Sequence, residues 1–204
     1  HFLKRAKRHA RPRVVHRIDK GTSGLVLVAL SRSAMTHMTR EFAERRVKKE
    51  YLALVNGSPK DESGAVDRPL VVNSGRRRGR APVEVGDGGK EARTRWQVEE
   101  RLGRYALLRV FPETGRQHQI RAHMASEGFP LAVDFLYGGA KQILLSELKR
   151  GYRPSSDGEK PLLDRLSLHA HRLEFAGPDG AQVQVEAPLP KDFKATLKQL
   201  ARWS

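Results

Sequence analysis

A short charged segment followed by a glycine-rich turn is the part of the sequence best suited to chemistry. It reads His16-Arg17-Ile18-Asp19-Lys20-Gly21-Thr22-Ser23-Gly24 and is followed at once by the apolar run 25–30. Loops at the edge of a sheet often carry functional residues, and a carboxylate there can act as a nucleophile or as a base. Judged by composition alone, an ordinary polar turn in which Asp19 pairs with Lys20 or Arg17 is the simpler interpretation.

Two later segments also combine polar and apolar residues in ways that fit a site. The first, Lys49-Glu50-Tyr51-Leu52-Ala53-Leu54-Val55, is strand-like, and a tyrosine at the start of a strand commonly serves packing. The second, Thr114-Gly115-Arg116-Gln117-His118-Gln119-Ile120-Arg121-Ala122-His123, leads into a predicted helix that carries Arg121 beside Ile120 and Met124. A guanidinium in that half-buried position needs a partner.

These three segments, in this order, resemble the signature motifs of the RluA-type family of RNA pseudouridine synthases. The likeness continues through residues 128–130 and 134–138 and, more weakly, through 90–94 and 168–175. It therefore covers nearly the whole chain, and three ordered motifs are far more specific than one.

The resemblance implies an isomerase that converts uridines in structured ribosomal or transfer RNA to pseudouridine. The glycosidic bond breaks, the uracil rotates, and the base rejoins the sugar through C5. The residue that matches the catalytic carboxylate is Asp19, which could act as a nucleophile at the sugar or abstract a proton. The reaction needs no redox change or energy input, so no cofactor is expected, and the sequence contains no cofactor motif.

Further site residues follow from the same resemblance. Tyr51 matches a tyrosine that stacks on the target base and takes part in a late proton transfer, and Arg121 matches an arginine that pairs with the catalytic aspartate. Arg17 is the candidate to fill the gap left when the uridine is flipped out of its stack, with phosphate binding as the alternative. We also expect His16 and Arg116 to bind substrate.

The histidines raise the question of a metal site, which the spacing does not favour. His118 and His123 are five residues apart, whereas the zinc-binding helix motif needs a separation of four. His169 and His171 would share one face of a strand, but no cysteine or clear third ligand accompanies them. We therefore expect no metal.

The overall charge points to a polyanionic partner. The 204 residues include 39 Lys and Arg against 23 Asp and Glu, a formal net charge of +16. RNA fits better than a membrane surface, because the run 25–30 is far shorter than the roughly 20 apolar residues that span a bilayer. The absence of cysteine suits a reducing compartment. We expect a cytoplasmic monomer with no obligatory protein partner.

The resemblance implies an α+β fold with a mixed, mostly antiparallel central sheet flanked by helices, the fold of the pseudouridine synthase catalytic domain, and the apolar patterns predict its elements. Residues 24–30 and 51–55 are predicted strands, separated by a helix that begins at Ser31 or Ser33. A hairpin across Gly103 is predicted from 92–98 and 105–111, with Leu108 and Val110 on one face of the second strand and Leu107 on the other. The other predicted elements are a helix from a capping box at Thr114 and Gln117 to Gly128, strands at 166–175 and 182–186, and a helix at 193–203.

We expect residues 1–204 to form a single catalytic domain that lacks an N-terminal strand and any accessory RNA-binding domain. Gly, Pro and Asp predict irregular excursions at 57–89 and 139–165, the first with a basic tip at 76–80. Residues 1–13 are interpreted as a basic arm on the partner or as a solvated tail.

Two other functions would fit the same residues. One is a catalytically silent module that binds or folds RNA, and the other is a hydrolase that cleaves N-glycosidic bonds and releases the base. Measuring uridine isomerisation against the release of free uracil distinguishes all three functions.

Overall fold

A computed structural model describes residues 12–72, 83–154 and 156–203. The strands of its main sheet are, in order, β11 (Gln182–Glu186), β10 (Leu168–Ala176), β4 (Lys48–Asn56), β9 (Tyr105–Pro112), β8 (Arg93–Leu102) and β5 (Ser63–Asp67). The pairings are antiparallel except that β2 (Ser23–Gly24) lies parallel to β10. The predicted α+β class with a mixed, mostly antiparallel sheet is confirmed. Within the described part of the chain, no helix has the length and apolar character to cross a membrane.

The elements have the following bounds. The strands are β1 (Arg13–Val14), β2 (Ser23–Gly24), β3 (Val28–Ala29), β4 (Lys48–Asn56), β5 (Ser63–Asp67), β6 (Leu70–Val72), β7 (Val83–Val85), β8 (Arg93–Leu102), β9 (Tyr105–Pro112), β10 (Leu168–Ala176) and β11 (Gln182–Glu186). The helices are α1 (Arg32–Ala43), α2 (Gln119–Ser126) and α3 (Lys191–Trp203).

Both faces of the sheet are apolar and each is covered by a helix. Alternation along β9 places Leu108 and Val110 on the side of α2, where they pack with Ile120 and Met124. The same alternation sends Leu107 to the opposite side, where Phe193 and Leu200 of α3 complete a second core. The predicted faces of this strand are confirmed, and Tyr51 lies against the α2 side.

Most of the predicted elements are confirmed. Ser31 is the N-cap of α1, and its hydroxyl accepts a hydrogen bond from Ala34 N at 3.1 Å. The hairpin β8–β9 turns at Gly103, and Gly128 ends α2 with a positive φ of 84°. The strands near 51–55, 166–175 and 182–186 and the terminal helix are also present.

The prediction of a buried strand at 24–30 is wrong. Only β2 and β3, two residues each, pair there, and the side chains of Val26, Val28 and Leu30 are exposed. Leu25 and Leu27 instead pack against a small cluster that includes Met38 of α1. A continuous apolar run has no period that identifies a strand, so the available pairing partners decided its structure.

The prediction of an irregular excursion at 57–89 is wrong in part. Residues 57–89 are not uniformly irregular, because β5 joins the main sheet and β6 pairs with β7. The predicted basic tip at 76–80 lies outside the described residues, as do residues 1–11 of the predicted arm. The excursion at 139–165 is largely irregular, with one 3-10 turn at Leu145–Glu147.

The predicted capping box at Thr114 and Gln117 is not formed. Helix α2 begins after His118, which has a left-handed φ of 53° and makes no side-chain capping bond. The hydroxyl of Thr114 donates to Gln119 Oε1 at 2.7 Å instead, because the chain turns once more before the helix starts.

Gly24 is the position at which the chain approaches β10 most closely. A Cβ atom there would lie 2.1 Å from the carbonyl oxygen of Ala170, and φ is +108°. We expect Gly24→Ala to lower the free energy of unfolding by about 3 kcal/mol or more, since it adds a backbone clash to the strain of a positive φ. Urea denaturation measures the loss.

Gly88→Ala is the matched control. Gly88 also has a positive φ, +79°, but a Cβ atom there would meet nothing within 4 Å. Gly88→Ala should lower the free energy of unfolding only by the strain of the positive φ, about 1 kcal/mol. Equal losses in the two variants would contradict the close approach at Gly24.

Candidate active site

The loop that carries Asp19 is held by its own backbone and by one histidine. Val15 N donates to Leu27 O at 3.0 Å, and Thr22 N donates to Asp19 O at 3.0 Å. The imidazole of His16 accepts a hydrogen bond from Leu27 N through Nε2 at 3.0 Å and stacks on Phe42 of α1 at 4.9 Å. The loop therefore closes on itself beside α1.

Side-chain hydrogen bonds fasten the end of this loop to the sheet. The hydroxyl of Ser23 accepts from Arg165 at 3.0 Å and lies 2.9 Å from Nδ1 of His169. Arg165 is held in turn by two hydrogen bonds to the Asp192 carboxylate, at 2.6 and 2.8 Å. This chain of contacts links the segment that follows Asp19 to the start of α3.

A buried polar network positions α2. Gln119 is bonded through Oε1 to Thr114 and through Nε2 to the hydroxyl of Thr94, at 2.7 and 2.9 Å. His123 Nδ1 lies 2.8 Å from the same Thr94 hydroxyl. Such a network is rigid when all its members are paired, so α2 is tied firmly to β8.

Helix α2 brings Arg121 between two carboxylates. Its guanidinium donates to both oxygens of Asp134, from Nε at 2.6 Å and from Nη2 at 2.8 Å. Nη1 lies 3.7 Å from Oδ2 of Asp19. The sequence predicted Asp19 as the partner of Arg121, but the structure adds Asp134 as the closer and bidentate one.

The charge of Arg121 is stabilised despite its burial. Burial opposes the charged form, and the hydrogen bonds and charge of Asp134, with the charge of Asp19, more than compensate, so the pKa of Arg121 is raised. The guanidinium also lies over the ring of Tyr137, 4.8 Å from its centroid. Tyr137 Oη accepts from Val83 N at 2.7 Å and lies 2.9 Å from His118 Nδ1.

A cavity of about 360 Å³ opens over Asp19. This volume is within the range of about 300–1,000 Å³ typical of ligand sites. Tyr51 and Leu168 line it from the sheet, and Phe42 lines it from α1. Burial, and then the charge of Asp19, raise the pKa of Tyr51 to about 12, so its hydroxyl stays protonated at neutral pH.

Two hydroxyl groups in the cavity wall have no protein partner among the described residues. Thr22 Oγ1 is buried without a hydrogen bond, and the hydroxyl of Tyr51 makes none either. Because an unpaired buried hydroxyl is costly, such atoms commonly mark places where a ligand binds. Both groups are available to a bound molecule.

The predicted substrate-binding residues lie around the same cavity. Arg17 is exposed at its edge, His16 is half-buried in its wall, and Arg116 lines it while Nε donates to Glu91 O at 2.8 Å. The structure thus brings Asp19 and Tyr51 into one cavity with these three substrate-binding candidates. Arg121 contacts Asp19, with Nη1 3.7 Å from Oδ2. Their roles remain predictions.

Sequence reasoning assigned no role to Asp134, Tyr137, Thr22 or Lys49. Asp134 and Tyr137 belong to the segment 134–138, which was part of the resemblance, so the signal was present without a function attached. Lys49 lines the cavity beside Tyr51, as alternation along a strand requires of residues two apart.

The four histidines considered as metal ligands all have hydrogen-bond partners. His123 Nε2 lies 3.0 Å from Arg68 O, and His118 lies beside Tyr137. His169 Nε2 and His171 Nδ1 both contact Ala187 O, at 3.1 and 2.8 Å.

Comparison with known proteins gives a consistent result. Residues 2–126 match the family described as RNA pseudouridylate synthase. The chain is 38% identical over 188 residues to ribosomal large subunit pseudouridine synthase C of Escherichia coli strain K12, covering 92% of this chain and 56% of that protein. An uncharacterized RNA pseudouridine synthase of Mycobacterium bovis is 38% identical over 194 residues, 94% of this chain and 57% of that protein. The chain thus spans little more than half the length of these relatives.

Two solved human structures share the fold. Human RNA pseudouridylate synthase domain containing 4 aligns with a TM-score of 0.72 at 24% identity, covering 97% of this chain and 79% of that one. Human RNA pseudouridylate synthase domain containing 1 aligns with a TM-score of 0.69 at 28% identity, covering 95% and 81%.

The two carboxylates beside Arg121 should differ in their contribution to stability. The side chain of Asp134 is 1% exposed and that of Asp19 is 21% exposed. We expect Asp134→Asn to lower the free energy of unfolding by about 3–5 kcal/mol, since it removes the main partner of a buried charge. Asp19→Asn leaves that partner in place and should cost under about 1 kcal/mol. Urea denaturation of both variants tests this order, and a larger loss for Asp19→Asn would refute it.

Proposed function

Because the chain belongs to the RNA pseudouridylate synthase family, we propose that it converts uridines in structured RNA to pseudouridine with Asp19 as the catalytic carboxylate. One observation carries the proposal: Asp19 lines a cavity of ligand size while the buried Arg121 lies 3.7 Å behind it. A carboxylate held in this way is oriented and accessible to a bound nucleoside.

The proposed reaction is an isomerisation whose atoms balance without a co-reactant. The bond between C1′ and N1 breaks, the detached uracil rotates, and a bond forms between C1′ and C5. C5 loses its proton, and N1 carries a proton in the product. Asp19 either adds to C1′ and leaves again, or removes a proton from the sugar when the bond to N1 breaks and returns it when the bond to C5 forms. Both routes need Asp19 as the anion.

The neighbouring residues support these steps. Arg121 holds its positive charge 3.7 Å from Asp19. The bidentate contact with Asp134 keeps the guanidinium from moving toward the substrate. Tyr51 offers its ring for stacking on the uracil and an unpaired hydroxyl for proton transfer at C5 or N1. Arg17 at the edge of the cavity is suited to stack where the flipped uridine had been.

The partner we propose is ribosomal or transfer RNA. The net charge of +16 and the arginines around the cavity favour a polyanion, and one relative is named for the ribosomal large subunit. That the protein acts in the cytoplasm as a monomer remains our prediction.

Loss of the Asp19 carboxylate should abolish the isomerisation while leaving the fold intact. We expect Asp19→Asn to lower the rate by about 10³-fold or more, since an amide is neither a nucleophile nor a base of useful strength. The measurement is a map of pseudouridines in total RNA from cells with and without the protein, with the variant returned in place of the native chain.

The same samples separate the alternatives. Release of free uracil without pseudouridine would identify a glycosidic hydrolase, and RNA binding without either product would identify a silent RNA-binding module. If Asp19→Asn restored every lost site, the proposed mechanism would fail.

Tyr51→Phe separates stacking from proton transfer. The ring stays, and the hydroxyl, whose pKa is raised to about 12 by burial, is lost. We expect kcat to fall by about 10²-fold with little change in KM, because a proton-transfer group acts in the chemical steps. Tyr51→Leu is the control and should also raise KM. A Phe variant with native kcat would limit Tyr51 to stacking.

A further inference from the structure

Lys49 places a half-buried ammonium group in the wall of the cavity. Its Nζ donates to the carbonyl oxygen of Thr114 at 2.9 Å. An ammonium has three donor hydrogens, and the protein engages one of them. In the described part of the chain, no carboxylate pairs with Lys49.

The acidic groups in the neighbouring segments already have other partners. Glu91 binds Arg45 through two hydrogen bonds at 3.0 and 3.1 Å, and Glu113 binds Arg95 at 2.6 Å. Glu50, adjacent to Lys49, points to the other face of β4 and pairs with Arg109. Asp19 lies beside Arg121.

The groups that face Lys49 are basic or neutral. Arg45, two residues after α1, is close enough for its charge to act on Lys49, and the charge of Lys49 acts on His16 in the Asp19 loop. Arg116 lines the same cavity from the segment after β9, and Tyr51 lies beside Lys49 on β4. A desolvated cation among cations is unfavourable unless an anion joins it.

We propose that Lys49 is a substrate-binding residue whose ammonium group binds an RNA phosphate that flanks the target uridine. A neutral uracil carbonyl would not offset the cost of the buried charge, whereas a phosphodiester supplies both an anion and hydrogen-bond acceptors. The assignment rests on the proposed function, since it takes RNA as the molecule that enters the cavity.

The site predicts a characteristic pH dependence. Burial, and then the charge of Arg45, lower the pKa of Lys49 to about 8. The protonated form binds phosphate, so affinity is nearly constant below about pH 7 and falls by up to about 10-fold between pH 7 and pH 9. Burial lowers the pKa of His16 from its ordinary 6.5, and the pKa of Tyr51 is about 12, so neither titrates in this range.

The experiment measures equilibrium binding to a short RNA stem-loop whose single-stranded loop contains one uridine, because the proposed substrate is structured RNA. Asp19→Asn protein is used throughout, so that no turnover occurs. Lys49→Gln should weaken binding about 10-fold or more at pH 7. It should also reduce the slope of the logarithm of the binding constant against the logarithm of the salt concentration by about 0.7, the value for one phosphate contact on a single strand. Lys48→Gln is the matched control, because Lys48 is the adjacent lysine, exposed and paired with Glu174.

Two further measurements test whether Lys49 contacts a phosphate. The Lys49→Arg protein stays charged at every pH used, so it should bind the RNA at pH 7, and its affinity should not fall between pH 7 and pH 9. RNA with neutral methylphosphonates on both sides of the uridine should bind native Lys49 and Lys49→Gln proteins equally, because the interacting partner is gone.

Three results would overturn the proposal: equal effects of Lys48→Gln and Lys49→Gln, a Lys49 effect that persists on the methylphosphonate RNA, or no RNA binding at low salt. These measurements need no turnover. An inactive enzyme that binds RNA through Lys49 would therefore refute the proposed reaction and leave the phosphate contact standing.

Discussion

The buried guanidinium of Arg121 is the interaction on which the candidate site depends. A cation in this position must be paired, and Asp134 satisfies it with two hydrogen bonds while Nη1 remains directed toward Asp19. Three separate parts of the chain meet at this group: the loop before β2, helix α2 and the turn at 134–138. The location of Asp19 is therefore coupled to the packing of α2 on the sheet.

Apolar packing holds the helices on the sheet, and polar contacts hold the loop that carries Asp19. Two apolar cores fix the helices on either side of the sheet, and Phe193 and Leu108 are among their fully buried residues. The loop of Asp19 lies at the edge, where Ser23 and His169 supply the attachment that packing does not. At this edge the hydroxyl of Thr22 is buried with no hydrogen-bond partner among the described residues, which is unfavourable unless a ligand binds it.

The side chains with a full charge in the cavity wall are mostly basic. Glu50, Glu91 and Glu113 are each paired with an arginine outside the cavity. The cavity wall itself keeps Arg17, Lys49 and Arg116. A basic composition thus becomes a local cationic surface around Asp19, because these three glutamates pair with arginines outside the cavity.

Periodic and ordered signals in the sequence determined much of this structure. Alternating residues predicted β9 and its two faces, helical spacing predicted α1 and α3, and the order of three motifs selected Asp19, Tyr51 and Arg121 as candidates. Tertiary structure alone decided that 25–30 would not form a strand, that Thr114 would bond Gln119, and that Asp134 would be the main partner of Arg121. Periodicity is a property of neighbouring residues, whereas these choices depend on partners that only folding brings close, such as Ser23 and His169, 146 positions apart.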